Sequence, residues 1–146
     1  MLGKRKIRKY VFELLCGYEC NLDVAPEEYF LTAYDNLLCS DDENDSVKNT
    51  FVGVVSNIKR LDEIIGSFLN NWKVSRLSIV TRSILRLSAY EMIYLKLEPA
   101  ISINEAVEMS KQFAEDKAPG LINGVLNNVS ANLSKYEWKN IHRYWY

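Results

Sequence analysis

An all-helical domain is what this sequence predicts, on three observations. From Leu77 to Leu97 the apolar side chains cover far more than one helical stripe. Leu77, Ile84, Leu85, Ser88, Ala89, Met92 and Ile93 share a face, and Val80, Leu87, Tyr94 and Leu95 widen it. On both sides of this run, apolar residues recur at helical spacing between helix start and stop signals. Finally, 146 residues with 48% hydrophobic and 25% charged side chains make one domain of soluble globular composition, which excludes a disordered chain or a membrane protein. Arg82, Arg86 and Glu91 interrupt the central run, and it is too short to span a bilayer. A segment this apolar must be enclosed by the other helices, and Ser88 and Ala89 are small enough to let one of them come close.

In chain order, the first helix is expected over residues 3–19. At about 100° per residue, Ile7, Val11, Leu14, Leu15 and Tyr18 form its core face, and Arg5, Arg8, Lys9, Phe12 and Cys16 a separate basic one. Asn21 to Pro26 is a turn, with Pro26 suited to the first position of a second helix that buries Tyr29, Phe30, Ala33, Tyr34, Leu37 and Leu38. Ser40 to Ser46 reads as an acidic solvated connector, since the spaced ligands and closing Glu of a calcium loop are missing. A long third helix from Val47 carries Phe51, Val54, Val55, Ile58, Leu61, Ile65 and Phe68, with Gly53 allowing close approach and Asn70-Asn71 as its stop.

Glu98-Pro99 ends the central helix, because proline disfavours helical geometry in the residue before it. Ser102 and Glu105 have the spacing of a capping box for a helix that turns Ile103, Ala106, Val107, Ser110 and Phe113 inward. After the polar residues 115–120, a last helix buries Ile122, Val125, Leu126, Val129 and Leu133. Gly124 within it lowers helix propensity and is expected to mark close packing. At the C-terminus, Trp138, Ile141, His142 and Trp145 repeat at i, i+3, i+4 and i+7, so Tyr136 to Tyr146 is expected to form a short amphipathic helix.

The net charge of -1 hides a polarity: Lys4, Arg5, Lys6, Arg8 and Lys9 make a local +5, residues 135–146 a local +2, and the body between holds -8. Basic ends suit a polyanionic partner, and the acidic body suits a basic one. Phe12 among cations offers the pairing that single-stranded nucleic acid uses, charge for phosphates and a flat ring for a base. The plainer reading is a solvated charged N-terminus with Phe12 packed under a neighbour. Cys16, Cys20 and Cys39 come without a secretory signal, so a reducing cytoplasmic location and small core thiols are expected rather than a disulfide or metal framework. One His, no phosphate-cradling glycine loop and no nucleophile-base pattern argue against catalysis.

Three ordered motifs then carry a resemblance. Arg82-Ser83-Ile84-Leu85-Arg86-Leu87-Ser88-Ala89-Tyr90-Glu91, next Pro99 with Ile103-Asn104-Glu105-Ala106-Val107-Glu108, and last Ile122-Asn123-Gly124-Val125-Leu126-Asn127 are similar to the signature of the NusB family of transcription antitermination factors. The likeness extends to Gly53, Leu61-Asp62, Trp72 and the basic first helix. It implies a single RNA-binding domain, residues 1–146, made of two roughly perpendicular helical bundles, 1–69 and 77–134, and an aromatic tail, 135–146, whose role lies outside the resemblance. It also implies binding of the boxA element of ribosomal-RNA leader transcripts by the basic helix, through Lys4, Arg5, Lys6, Arg8, Lys9 and Phe12. Its implied partners are NusE, a small-subunit ribosomal protein, and an RNA polymerase complex that resists termination; no cofactor or metal is called for. A homodimer that hides the RNA face stays open.

Asn123 borders the Lys117 loop and serves either helix packing or RNA contact. Residues 103–108 serve capping and packing or ligand contact, and Arg86 and Glu91 set helix order or meet a partner. Leu121 stands where the family often has Phe, and Cys16 where Tyr is common, which leaves Phe12 as the ring to compensate. Two other functions share this fold class: an RNA-binding module serving a ribosomal-RNA methyltransferase system, against which the missing dinucleotide-type domain argues, and a purely structural helical dimerisation module.

Overall fold

The computed structural model describes residues 4–33, 41–70 and 72–136. Among these, seven α-helices follow one another: α1 (Lys4–Tyr18), α2 (Pro26–Ala33), α3 (Asp41–Ser56), α4 (Ile58–Gly66), α5 (Ile79–Ile93), α6 (Pro99–Phe113) and α7 (Ala118–Ala131), with a 3-10 turn at Val74–Arg76. They fall into two compact units, Met1–Ile58 and Lys59–Tyr146. No helix among the described residues is long and apolar enough to cross a membrane.

In the first unit α1, α2 and α3 pack on one another around three aromatic rings. Tyr18 meets Phe51 edge-on at 5.6 Å between centroids and Tyr29 at 5.3 Å, arrangements that suit ring quadrupoles. Gly17 permits this: a Cβ there would collide with the Tyr29 hydroxyl. The Tyr18 hydroxyl donates to the Val24 carbonyl and the Asn21 side chain to Gly17 O (3.1 Å), so the chain turns tightly after α1. Pro26 opens α2, and Phe30 is its buried anchor, whereas Ala33 is exposed. Cys16 is half-buried and Cys20 exposed, so Cys20 is not the core thiol the sequence suggested. Tyr34, Leu37, Leu38, Cys39 and the aromatic tail from Glu137 to Tyr146 lie outside the described residues.

Two expectations about this stretch are corrected. Residues 41–46 are not a connector but the opening turns of α3, with Asp41, Asp42 and Glu43 in its first turn. Carboxylates there face the positive end of the helix dipole, so a sequence that reads as a loop is stable as a helix start. Nor is there one long helix from Val47 to Phe68: it breaks at Asn57. The Asn57 side chain donates to Gly53 O (2.7 Å) and its N–H to Val54 O (3.1 Å), local bonds that compete with continued helix.

The second unit is built on α5, in which every residue from Ser83 to Ile93 except Arg86 is buried. Ser78 caps its start, accepting from the Thr81 N–H at 3.1 Å. Both α6 and α7 pack against it and against each other. Polar bonds join α5 to its neighbours. Arg86 grips Asp62 of α4 in two parallel bonds of 2.8 Å, with only 11% of the Arg86 side chain exposed. Ser88 Oγ lies 2.7 Å from Ser102 Oγ of α6, and Ser102 also donates to Glu91 Oε1 at 3.2 Å, all three residues being buried. Ser88 thus does bring a helix close. Ser102 is no cap, however. Pro99 occupies the first turn of α6 after Glu98, which makes no side-chain cap bond, and Ser102 lies inside the helix. Ile103, Ala106 and Ser110 face the core as expected, while Phe113 is exposed and Val107 and Leu133 are only half-buried.

Two substitutions test this packing. Ala89 is fully buried, so Ala89→Leu is expected to lower stability by about 1–3 kcal/mol through overpacking, read by thermal or urea unfolding. Ser83 Oγ is buried without a hydrogen-bond partner among the described residues. Ser83→Ala removes that desolvated hydroxyl and is expected to raise stability by about 1 kcal/mol in the same assay.

Candidate nucleic-acid interface

Each unit carries one candidate surface. In the first it is the N-terminal half of α1, where Lys4, Arg5, Lys6 and Lys9 are exposed. Four cations within six residues of one helix face outward with no carboxylate among them, and Glu13 is the next charge along that side. The expected separation of basic and core faces fails at two positions. Arg8 is 8% and Phe12 5% exposed. The cause is angular: viewed down the axis, Arg8 and Phe12 fall beside Leu15, and the buried arc runs from Leu14 through Val11, Leu15 and Arg8 to Phe12. An inward Phe12 presents no face for base stacking, so neither it nor Arg8 belongs to the exposed cation row.

In the second unit the candidate surface is the α6–α7 corner and the outer side of α7. Lys117 is exposed at the start of α7, which has no side-chain cap; the Ala118 N–H is taken by the Glu115 carbonyl, the Leu121 N–H by the Lys117 carbonyl and Pro119 has none, so the Gly120 N–H is the first-turn donor left beside the ammonium. A cation next to a helix N–H group suits a phosphate. Along the helix Asn123, Asn127 and Asn128 are exposed; Asn127 donates to Asn123 O (2.8 Å) and lies 3.2 Å from Asn123 Oδ1, fixing one amide against the other. Leu121 is 38% exposed. Gly124 overturns the expectation of close packing, because a Cβ placed there, or at Gly120, meets nothing within 4 Å. Ile122, Val125, Leu126 and Val129 alone hold the buried side. No residue of α7 is charged, an unusual property for a helix with one whole side in water.

The corner itself is held by Glu115, which the sequence reading passed over. Its Oε1 accepts from Thr81 Oγ1 (3.0 Å) and its Oε2 from Ser78 Oγ (3.2 Å), at the start of α5. Its carbonyl accepts from Ala118 N–H (2.9 Å), the first residue of α7. A bond to its own backbone N–H holds the carboxyl below its ordinary value of 4.5, opposed by partial burial and reinforced by the two hydroxyls. The available signal was Ser78, a capping residue immediately before an apolar run, with Thr81 three residues on. Among the described residues no three His, Cys, Asp or Glu side chains come together to hold a metal. The groups on offer, ammonium and guanidinium cations, amides and helix N–H donors, can bind phosphates and base edges.

The NusB family pattern matches residues 5–131. The transcription antitermination protein NusB of Bacillus licheniformis is 44% identical over 113 residues, covering 76% of this chain and 84% of that protein. That of Bacillus pumilus is 40% identical over 136 residues, 92% of this chain and 99% of the relative. Among solved structures, T. maritima NusB superposes with a TM-score of 0.83 at 26% identity, covering 89% of this chain and 92% of that one. A chain from a crystal structure of antitermination factors NusB and NusE with double-stranded RNA gives 0.76 at 26% identity, covering 91% and 97%.

Glu115 also has a consequence for pH dependence. A carboxyl whose value is lowered on folding contributes stability that is fully present above its ordinary value of 4.5 and lost as pH falls through the lowered one. Glu115→Gln is therefore expected to flatten the loss of stability below about pH 4.5 relative to the parent, measured by urea unfolding at stepped pH.

Proposed function

Since the chain belongs to the NusB family, we propose that it is a non-catalytic transcription antitermination factor. It binds boxA-type RNA in ribosomal-RNA leader transcripts together with NusE, a small-subunit ribosomal protein, within a complex on RNA polymerase. The reading places it in the cytoplasm, where those transcripts are made.

The observation that carries the RNA-binding part is the exposed row Lys4, Arg5, Lys6 and Lys9 on α1, in a chain whose net charge is -1. A solvated helix end with no task would mix signs, whereas the exposed residues at the start of this one carry a single sign, which suits a phosphate backbone. The second surface differs in kind. Lys117 and the first turn of α7 suit a phosphate; Asn123 and its neighbour Asn127 suit a base edge, since amides both donate and accept. With Phe12 buried, base stacking is not assigned to α1.

Fluorescence anisotropy with a short boxA-like single-stranded RNA, over a salt series, tests the assignment. Replacing Arg5 and Lys9 together by Ala is expected to weaken binding and to reduce the slope of log K against log salt by roughly 0.7 per lost contact, about 1.4 in all. An unchanged slope would remove α1 from the interface.

A further inference from the structure

We propose that Glu115 is a positioning residue for RNA binding: anchored on Ser78 and Thr81 at the start of α5, it sets the α6–α7 corner so that Lys117 and the first turn of α7 face the nucleic acid. The proposal rests on the reading above that Lys117 contacts RNA.

A carboxylate is a poor choice of residue here on electrostatic grounds. It lies two positions from Lys117, on a surface assigned to a polyanion, and it is exposed. Its geometry supplies the reason for its presence. Thr81 is fully buried and Ser78, though exposed, caps α5, so both hydroxyls are held by α5 rather than by the loop. One carboxylate oxygen goes to each, at 3.0 and 3.2 Å. From the same residue the carbonyl holds Ala118 N–H at 2.9 Å. Glu115 thus links the first turns of two helices, and only Asp116 and Lys117 lie between its anchor and α7. Because α7 lacks a side-chain cap, the direction in which its first turn and Lys117 point is set by this link.

The two possible roles of Glu115 predict opposite signs. Acting only as a negative charge near RNA, its removal tightens binding, and Glu115→Gln does so as much as Glu115→Ala. Acting by position, Glu115→Ala weakens binding about 3- to 10-fold, the size of coupling within one hydrogen-bonded network, while Glu115→Gln, which keeps an acceptor for Thr81, restores most of it. Thr81→Val, which removes a donor to Glu115 without altering any charge, weakens binding as Glu115→Ala does. Anisotropy with the boxA-like RNA reads all of these, with unfolding curves confirming that each variant is folded. Thr81→Val and Glu115→Gln keep the test decisive where Glu115→Ala is poorly folded.

The proposal is upheld when Glu115→Ala costs affinity in the parent and nothing further in a Lys117→Ala background. It is overturned alone when Lys117→Ala weakens binding but Glu115→Ala and Thr81→Val do not, or add to it independently. When Lys117→Ala leaves affinity and salt slope unchanged, the assignment of this corner to RNA fails, and the positioning role falls with it.

Discussion

Everything in the second unit depends on the near-complete burial of α5. Hydrophobic burial is non-directional, so an apolar cylinder leaves undecided which neighbour lies against which side. The polar bonds along α5 decide it. Thr81 reaches Glu115 at one end, Arg86 grips Asp62 of α4 in the middle, and Ser88 and Glu91 share Ser102 of α6 towards the other end. Each involves a group that costs free energy when buried alone, so a rotated or shifted helix would strand several at once. Ser83 is the exception, a buried hydroxyl with no bond among the described residues and therefore no orienting role.

The same bonds explain how much could be read in advance. Apolar spacing located the helices containing Val11, Phe51, Ile84, Ile103 and Ile122, because burial at period 3.6 leaves that pattern in any sequence. What it missed was where helices begin and end. Ser102 and Glu105 have capping-box spacing, yet Ser102 is used inside the core; Pro99 and the carboxylates at Asp41 to Glu43 start helices from residues that read as breaks. At Asn57 a side chain ends a helix although the apolar repeat continues through it. The candidate site divides likewise. A run of cations is visible as composition, but whether Arg8 and Phe12 face water depends on the width of the buried arc of α1, which tertiary packing sets. Ser78 and Thr81 are legible as a helix start, but that Glu115 is their partner is not, because it lies more than thirty positions away.

Charge is distributed as unevenly as polarity. Between Tyr10 and Val47 the chain has ten carboxylates and neither lysine nor arginine, directly after the basic stretch. Such a distribution of charge attracts a polyanion to the basic stretch and repels it from the acidic one that follows, which would orient it on approach. On α7 no charge of either sign is present, so that surface neither attracts nor repels a polyanion by net charge.

The composition of α7 has one more consequence. Pro119, Gly120, Asn123, Gly124, Asn127 and Asn128 are all weak or poor helix formers, and as a free peptide this segment would be largely unwound. Its outer side keeps its shape only because Ile122, Val125, Leu126 and Val129 are seated on the other. A loose core therefore dissolves this surface instead of merely displacing it. The helix works like a clasp: a partially folded chain presents no finished edge there, and the intact fold is what closes it.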